Sequence, residues 1–253
     1  MSLSASERRC VAEVSIQAQT KPVIVQVTAF STFEAHDLAL HAEQAGAAAV
    51  AVGRPYYWRM TEAATIDYFA AITTAVRCPV FLVSRGEADT TISPALLLHL
   101  AALHPNIAGV IELGASCIAP VEIRRLAISQ DRPFITALNA PAAASAAYGL
   151  PCAFVSHLGT VAPDLVRMAV DSARTSNVAG TRDALARLLG LERVLGRDPG
   201  RIKHAMAKVG QPSGNPRAPL SSPGPEIQRA IDTELQRQGL LTDLNVGWTS
   251  KRG

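Results

Sequence analysis

Short apolar runs alternate with longer amphipathic stretches along most of the chain. The runs are rich in Val, Ile and Leu, and the stretches between them carry apolar side chains at helical spacing. The runs predict six β-strands, over residues 22–28, 48–52, 79–83, 107–111, 133–138 and 152–156. Since near-continuous apolar runs are typical of strands buried on both faces, the alternation predicts a parallel sheet covered by helices.

Capping residues mark the starts of two predicted helices. Ser31 precedes a helix that ends near Ala45, and Glu34 is spaced to complete a capping box with it. Ser93 followed by Pro94 starts another helix, because Ser can cap a helix and Pro fits its first position. Both helices follow a predicted strand, as a repeated β/α unit requires.

The last third of the chain predicts helices only. They are expected from Pro163 onward, with breaks at Gly180, at 196–200 and in the Pro-, Gly- and Ser-rich stretch 210–225, before a final helix over 226–238. This stretch extends the β/α part of the chain with a helical region.

Two ways of winding the sheet are open, a doubly wound sheet and a barrel. No strand is followed by G-x-G-x-x-G, and G-x-x-x-x-G-K-[ST] is absent, so the usual signatures of a nucleotide-binding sheet are missing. A complete (β/α)8 barrel needs about 250 residues, and this chain has 253 residues with six predicted strands. We therefore predict an α/β protein with an incomplete (β/α)8 TIM-type barrel over 1–176, a C-terminal helical region over 177–241 and a tail over 242–253.

Composition excludes several classes of protein. Hydrophobic residues make up 48% of the sequence and charged residues 18%, which favours a folded core over disorder. No apolar run approaches the about 20 residues of a membrane span, and the first residues lack a signal-peptide layout, so we expect a cytoplasmic protein without a membrane partner. The net charge of +3 is spread along the chain without interleaved aromatic residues, which argues against nucleic-acid binding.

Metal and cofactor sites are not predicted either. His36 and His41 are separated by roughly 500° of helical turn, so they face different sides of their helix. The cysteines are far apart, without the C-x-x-C spacing of a zinc site and without a disulfide framework. They are Cys10, Cys78, Cys117 and Cys152.

A series of segments in the chain matches, in order, those of a known enzyme family. The segments are Pro22–Val25, His41–Ala47, Pro55–Tyr57, His104–Val110, Thr160–Pro163, Ile202–Ala205 and Pro216–Leu220. Together they resemble the dihydrodipicolinate synthase and N-acetylneuraminate lyase family of pyruvate-dependent aldolases, over about residues 4–241. The resemblance implies a barrel in which pyruvate forms a Schiff base with a lysine at a strand end.

At the position of that lysine the chain carries Ile111. The family has a Gly-Ile-Lys-Glu-like run, and this sequence reads Gly-Val-Ile-Glu over 109–112. Schiff-base catalysis needs an amine that can lose its proton in a desolvated site, and isoleucine has none. The lysines of the chain lie elsewhere, at Lys21, Lys203, Lys208 and Lys251. The resemblance therefore implies that the covalent mechanism is lost.

Other positions of the implied site also differ from the family. Val83 aligns with a strand-end tyrosine that relays protons, and Arg85 is a displaced counterpart of the carboxylate-binding arginine. Tyr57 matches a tyrosine that crosses the subunit interface, and Glu112 is expected to face the barrel interior, where a carboxylate could act as acid or base. The first two βα units of the family, with a Gly-Thr-Thr-Gly-Glu loop, find no match.

Two further groups of residues contain side chains that could form a site. Arg54 and Arg59 follow a strand and could bind a small acid, or they could be simple surface charges. Ser156, His157 and Asp164 are the residue types of a hydrolase triad. That reading is disfavoured, because the chain has no G-x-S-x-G elbow and adjacent residues on a strand point to opposite faces.

Three functions are compatible with these observations. The one we favour is a pseudoenzyme of the lyase family that binds a small carboxylate, such as a 2-oxo acid, or serves as a partner subunit in a homo-oligomer or with a complete homologue. The second is an enzyme using non-covalent acid/base chemistry through Glu112 or Tyr57. The third is a truncated, non-functional gene product. The aromatic run 56–58 favours an interface or a pocket over a packed plug.

Overall fold

The computed structural model describes residues 2–18, 20–55, 57–85, 91–113, 135–138 and 152–241, with only the backbone of 135–138 and 152–154. These residues form two compact units, one from Leu3 to Ala153 and one from Phe154 to Leu241. The helices predicted between strands after residue 113, the tail after 241 and Tyr56 lie outside the described residues.

Strands and helices alternate along the first unit. In chain order they are α1 (Ala5–Ala18), β1 (Ile24–Gln26), α2 (Thr32–Gln44), β2 (Ala49–Gly53), α3 (Glu62–Thr73), β3 (Val80–Ser84), α4 (Pro94–Leu103), β4 (Ile107–Glu112), β5 (Ile135–Leu138) and β6 (Cys152–Phe154). Each predicted strand is present. β1 is shorter than predicted, although the Val27 N–H still donates to the Ala51 carbonyl at 2.8 Å.

The strands lie in the sheet in the same order as they occur along the chain. Its six strands lie side by side as β1-β2-β3-β4-β5-β6, and the pairs from β1 to β5 are parallel. A doubly wound sheet would reverse its strand order at a switch point. The sequential order of the described strands is instead that of a barrel-type winding, as predicted.

Alternation along the strands separates the apolar side chains into two layers. On one face, Val50, Val52 and Leu82 pack with the helices in the main core of this unit. On the other face is a smaller group, which we call the inner cluster. It consists of Ala49, Ala51, Phe81, Val83 and Ile111. The central strands β2, β3 and β4 are therefore buried on both faces, as their composition predicted, whereas Ile24 and Gln26 of β1 are exposed.

The predicted helix caps are confirmed. Ser31 Oγ accepts a hydrogen bond from the Glu34 N–H at 3.2 Å, at the start of α2. Ser93 Oγ accepts one from the Leu96 N–H at 3.1 Å, and Pro94 is the first residue of α4. Each bond satisfies one of the N–H groups that the first turn of a helix leaves without a partner.

The second unit is helical. A short 3-10 helix (His157–Thr160) is followed by α5 (Pro163–Arg174), α6 (Val178–Leu195), α7 (Pro199–Lys208) and α8 (Pro225–Arg237). Their apolar faces form one core that includes Leu158, Leu191, Leu195 and Ile231. No helix in the described part of the chain is long and apolar enough to cross a membrane.

The predicted helix break at Gly180 is wrong. Gly180 lies in the first turn of α6, where its N–H donates to the Asn177 side chain at 3.0 Å. The turn before α6 is made by Ser176, whose φ of 56° takes the left-handed conformation in which a helix cannot continue. The left-handed Ser176 and the N-cap residue Asn177, rather than Gly180, therefore set the start of this helix.

Two polar side chains fix the connection between α3 and the sheet. Asn106 Nδ2 donates to the carbonyls of Thr73 and Val76, each at 2.9 Å, and so satisfies the end of α3. Glu43 of α2 accepts from the Cys78 N–H at 2.7 Å, just before β3. Burial, together with the Glu43 carboxylate, raises the pKa of the Cys78 thiol to about 11, so Cys78 stays a neutral packing residue at neutral pH.

We predict that Asn106→Asp lowers the free energy of unfolding by about 1–3 kcal/mol, because an ionised carboxylate cannot donate to two carbonyls. The matched control is Asn177→Asp. Asn177 uses its side chain as an acceptor at the start of α6, where aspartate caps equally well. Urea denaturation of both variants tests this, and an equal loss in the two would contradict the role given to Asn106.

Candidate functional site

The carboxyl ends of β1 to β4 meet at one edge of the sheet, because these strands are parallel. At this edge, Val83 of β3 and Ile111 of β4 are partners in register. Both belong to the inner cluster, and their side chains are only 4% and 8% exposed. The structure therefore brings together the two positions that the family resemblance assigns to the Schiff-base lysine and the proton-relaying tyrosine.

The inner cluster offers no reactive group at this position. Its members carry only alkyl and phenyl side chains, and the partly buried residues packed against it are Ala108 and Leu113. None of these side chains has a lone pair that could attack a carbonyl carbon or accept a proton. Among the described residues, the environment of Ile111 is that of a packed core.

Polar side chains at the strand ends support the backbone. Thr28 Oγ1 accepts a hydrogen bond from the Gly53 N–H at 2.7 Å, and Thr28 is buried. Ser84, fully buried at the end of β3, accepts from the Ile92 N–H through its side chain at 3.3 Å. Sequence reasoning missed both residues, although a hydroxyl at the end of an apolar strand run was the available signal.

Glu112 is the last residue of β4 and only 3% exposed. Because successive side chains on a strand alternate, it projects to the face opposite Ile111. This disagrees with the expectation that Glu112 faces the barrel interior. Its position favours a structural carboxylate beside the helices over an acid or base in the inner cluster.

The arginines of the strand-end loops differ in their surroundings. Arg54, after β2, donates to Thr65 Oγ1 at 3.0 Å and to the carbonyls of Met60 and Thr91, each at 3.3 Å. It therefore holds two loops together, unlike a simple surface charge. Arg85, directly after β3, is exposed.

Tyr57 belongs to a group of exposed aromatic side chains. Its hydroxyl donates to the Phe30 carbonyl at 2.7 Å, and the two rings are 5.7 Å apart. The group, here called the aromatic patch, follows β1 and β2 and is exposed by 48%, 82%, 58% and 74% at Phe30, Phe33, Tyr57 and Trp58. Such exposure is unlike a packed plug, and large exposed apolar surfaces are typical of interaction sites.

The hydrolase-like residues of the second unit are not assembled as a triad. Ser156 Oγ caps the 3-10 helix, while His157 pairs with Glu192 at 2.9 Å. Asp164 pairs with Arg167 on the surface at 2.9 Å. The three side chains thus have separate partners and do not form a hydrolase triad, in agreement with the sequence analysis.

None of the described lysines lies on a strand of the sheet. Lys21 is exposed before β1, while Lys203 and Lys208 lie on α7 in the second unit. No group of three or more His, Cys, Asp or Glu side chains in the described ranges is placed to hold a metal ion.

Comparison with known proteins relates this architecture to a family. The dihydrodipicolinate synthetase family matches residues 1–238. The 4-hydroxy-tetrahydrodipicolinate synthase of Rhizobium meliloti strain 1021 is 31% identical over 246 residues, which cover 94% of this chain and 83% of that protein. The protein of the same name from Agrobacterium fabrum is 30% identical over 248 residues, with the same coverage of 94% and 83%.

Solved structures show the same fold. YagE, a prophage protein of the dihydrodipicolinic acid synthase family from E. coli K12 solved in complex with pyruvate, superposes with a TM-score of 0.86 at 26% identity, covering 94% of this chain and 83% of its own. The dihydrodipicolinate synthase from Aquifex aeolicus superposes with a TM-score of 0.84 at 22% identity, covering 95% and 83%.

We predict that Thr28→Val destabilises the strand ends, because it leaves the buried Gly53 N–H without an acceptor, at a cost of about 1–3 kcal/mol. Valine has nearly the same shape as threonine, so packing is preserved. Thr28→Ser keeps the acceptor and is the matched control. Amide hydrogen exchange should show faster exchange at Gly53 in Thr28→Val only, and unchanged protection there would refute the bond's importance.

Proposed function

The chain belongs to the dihydrodipicolinate synthetase family, and we propose that it is a member that has lost Schiff-base aldolase chemistry. The observation that carries this proposal is Ile111, which stands where the family resemblance places the lysine and is packed in the inner cluster beside Val83. A lyase of this type needs an amine at that point, and an alkyl group cannot replace it. The fold would then be kept without the covalent step.

The residue beside Ile111 supports the same proposal. Val83 takes the place of the tyrosine that relays protons in the family, and valine carries no exchangeable proton. The described lysines at Lys21, Lys203 and Lys208 are on other elements. Two functional groups of one reaction are thus replaced at positions that are register partners on adjacent strands.

A small carboxylate, such as a 2-oxo acid, is the ligand we propose for the strand-end edge. A solved relative is described in complex with pyruvate. In this chain, binding would be non-covalent, and the exposed Arg85 would supply the positive charge. The alternative of acid/base catalysis has less support, because Glu112 faces away from Ile111 and the Tyr57 hydroxyl is bonded to Phe30.

The second part of the proposal is a subunit partner, either another copy of the chain or a complete homologue. The aromatic patch supports it, because aromatic side chains are enriched in protein interfaces. We further propose that the six strands form an incomplete barrel over 1–176 in a cytoplasmic protein, with a helical region over 177–241. β1 is an edge of the sheet, where Ile24 is 48% exposed, and such edges are normally covered.

We predict that borohydride reduction in the presence of pyruvate gives no covalent adduct, since position 111 has no amine. Intact mass spectrometry makes the measurement, and a family member that carries the lysine serves as the positive control. A stable adduct on any lysine of this chain would overturn the proposed loss of covalent chemistry.

The double variant Phe33→Glu, Trp58→Glu is predicted to abolish association of the chain with itself or with a complete homologue, because it places charges in the aromatic patch. Sedimentation velocity measures both kinds of association. Val178→Glu is the control, because Val178 is 79% exposed on α6 in the other unit. A wild-type chain that stays monomeric and does not bind the homologue would contradict the partner role. Aggregation of the wild-type chain would favour the truncated, non-functional product.

A further inference from the structure

A cavity of about 290 Å³ lies within the second unit. Its walls include Lys203 and His204 of α7, the loop around Ser213 to Pro216, and Gln228 of α8. Polar and apolar groups contribute about equally to its lining. Its volume is near the lower end of the about 300–1,000 Å³ of small-molecule sites, so a ligand would be small.

Hydrogen bonds and close packing hold the walls in place. Lys203 Nζ donates to the Ser213 carbonyl at 2.6 Å, and Gln228 Nε2 donates to the Pro223 carbonyl at 2.7 Å. The chain at Ser221 crosses α7 so closely that a Cβ on Gly200 would overlap the Ser221 carbonyl oxygen. The loop is therefore fixed against both helices, and the cavity exists before any ligand arrives.

The charge of Lys203 is not neutralised by a carboxylate anywhere in the described part of the chain. An ammonium has three donors, and the only hydrogen bond of Lys203 among these residues uses one of them. The neighbouring acid is already engaged, because Asp232 pairs with Lys208 at 2.8 Å and with His204 Nε2 at 2.9 Å. Burial raises the pKa of the Asp232 carboxyl. The hydrogen bonds from Lys208 and His204 outweigh this effect and hold that pKa below its usual value.

The loop that lines the cavity adds two backbone hydrogen-bond donors. The backbone N–H groups of Gly214 and Asn215 donate to no described residue, and both residues are exposed beside the cavity. A cation surrounded by spare donors matches an oxygen-rich anion.

We propose that this cavity is a binding site for a small oxyanion with several acceptor oxygens, a phosphate or a dicarboxylate, held by Lys203. The anion replaces water at the spare donors of the ammonium and at the loop amides. The site is independent of the strand-end edge, so its failure would leave the proposed loss of aldolase chemistry untouched.

Isothermal titration calorimetry of the full chain with inorganic phosphate, and separately with succinate, tests the site at constant ionic strength. Saturable binding of at least one probe at one site per chain is expected, and the stronger probe identifies the class of anion. Lys203→Met should weaken binding at least tenfold, whereas the control Lys21→Met, at an exposed lysine of the other unit, should not. Absence of saturable binding to the wild type, or an equal loss in both variants, would overturn the proposal.

A second variant leaves the Lys203–Ser213 bond intact. Ala207 is an exposed residue of α7 that lines the cavity, so Ala207→Glu places a negative charge there and preserves helix propensity. It should also weaken binding at least tenfold, and it decides the question if Lys203→Met does not fold. Wild-type affinity in Ala207→Glu would place the anion elsewhere and refute the site.

Discussion

Parallel pairing in register is the constraint on which the first unit depends. After a register shift between Val80 and Phe81, β3 and β4 pair residue by residue. Strands paired in this way present the same alternation of faces, so Val83 and Ile111 share one side of the sheet. The helices occupy the other side, where Val52 and Leu82 pack with them. The side chain at position 111 therefore projects into the inner cluster. A reactive side chain there would be available for chemistry, whereas isoleucine only packs.

The scaffold is otherwise maintained by polar groups that serve the backbone. Thr28 and Ser84 each accept a hydrogen bond from a main-chain N–H near a strand end, and Asn106 donates to carbonyls at the end of α3. Arg54 joins two loops in the same way. A family fold would therefore persist if its reactive side chains were replaced, because stability and chemistry depend on different residues.

The cationic side chains of the two units have different surroundings. At the strand-end edge, Arg54 is engaged by carbonyls and Arg85 lies exposed. Both are guanidinium groups that stay protonated, so neither can replace a nucleophilic amine. The second unit instead contains Lys203, an ammonium with spare donors beside a preformed cavity. Two kinds of anion site are thus proposed on different physical grounds, one by descent from a family and one from local charge and shape.

The sequence by itself determined the strands, the helix caps at Ser31 and Ser93, and the family, because apolar periodicity, capping and motif order are local properties of the chain. The identity of residue 111 was equally plain. Only the tertiary structure decided the face of Glu112, the pairing of His157 with Glu192 and the cavity beside Lys203. These depend on strand register and on contacts between residues far apart in the chain, which no local pattern contains.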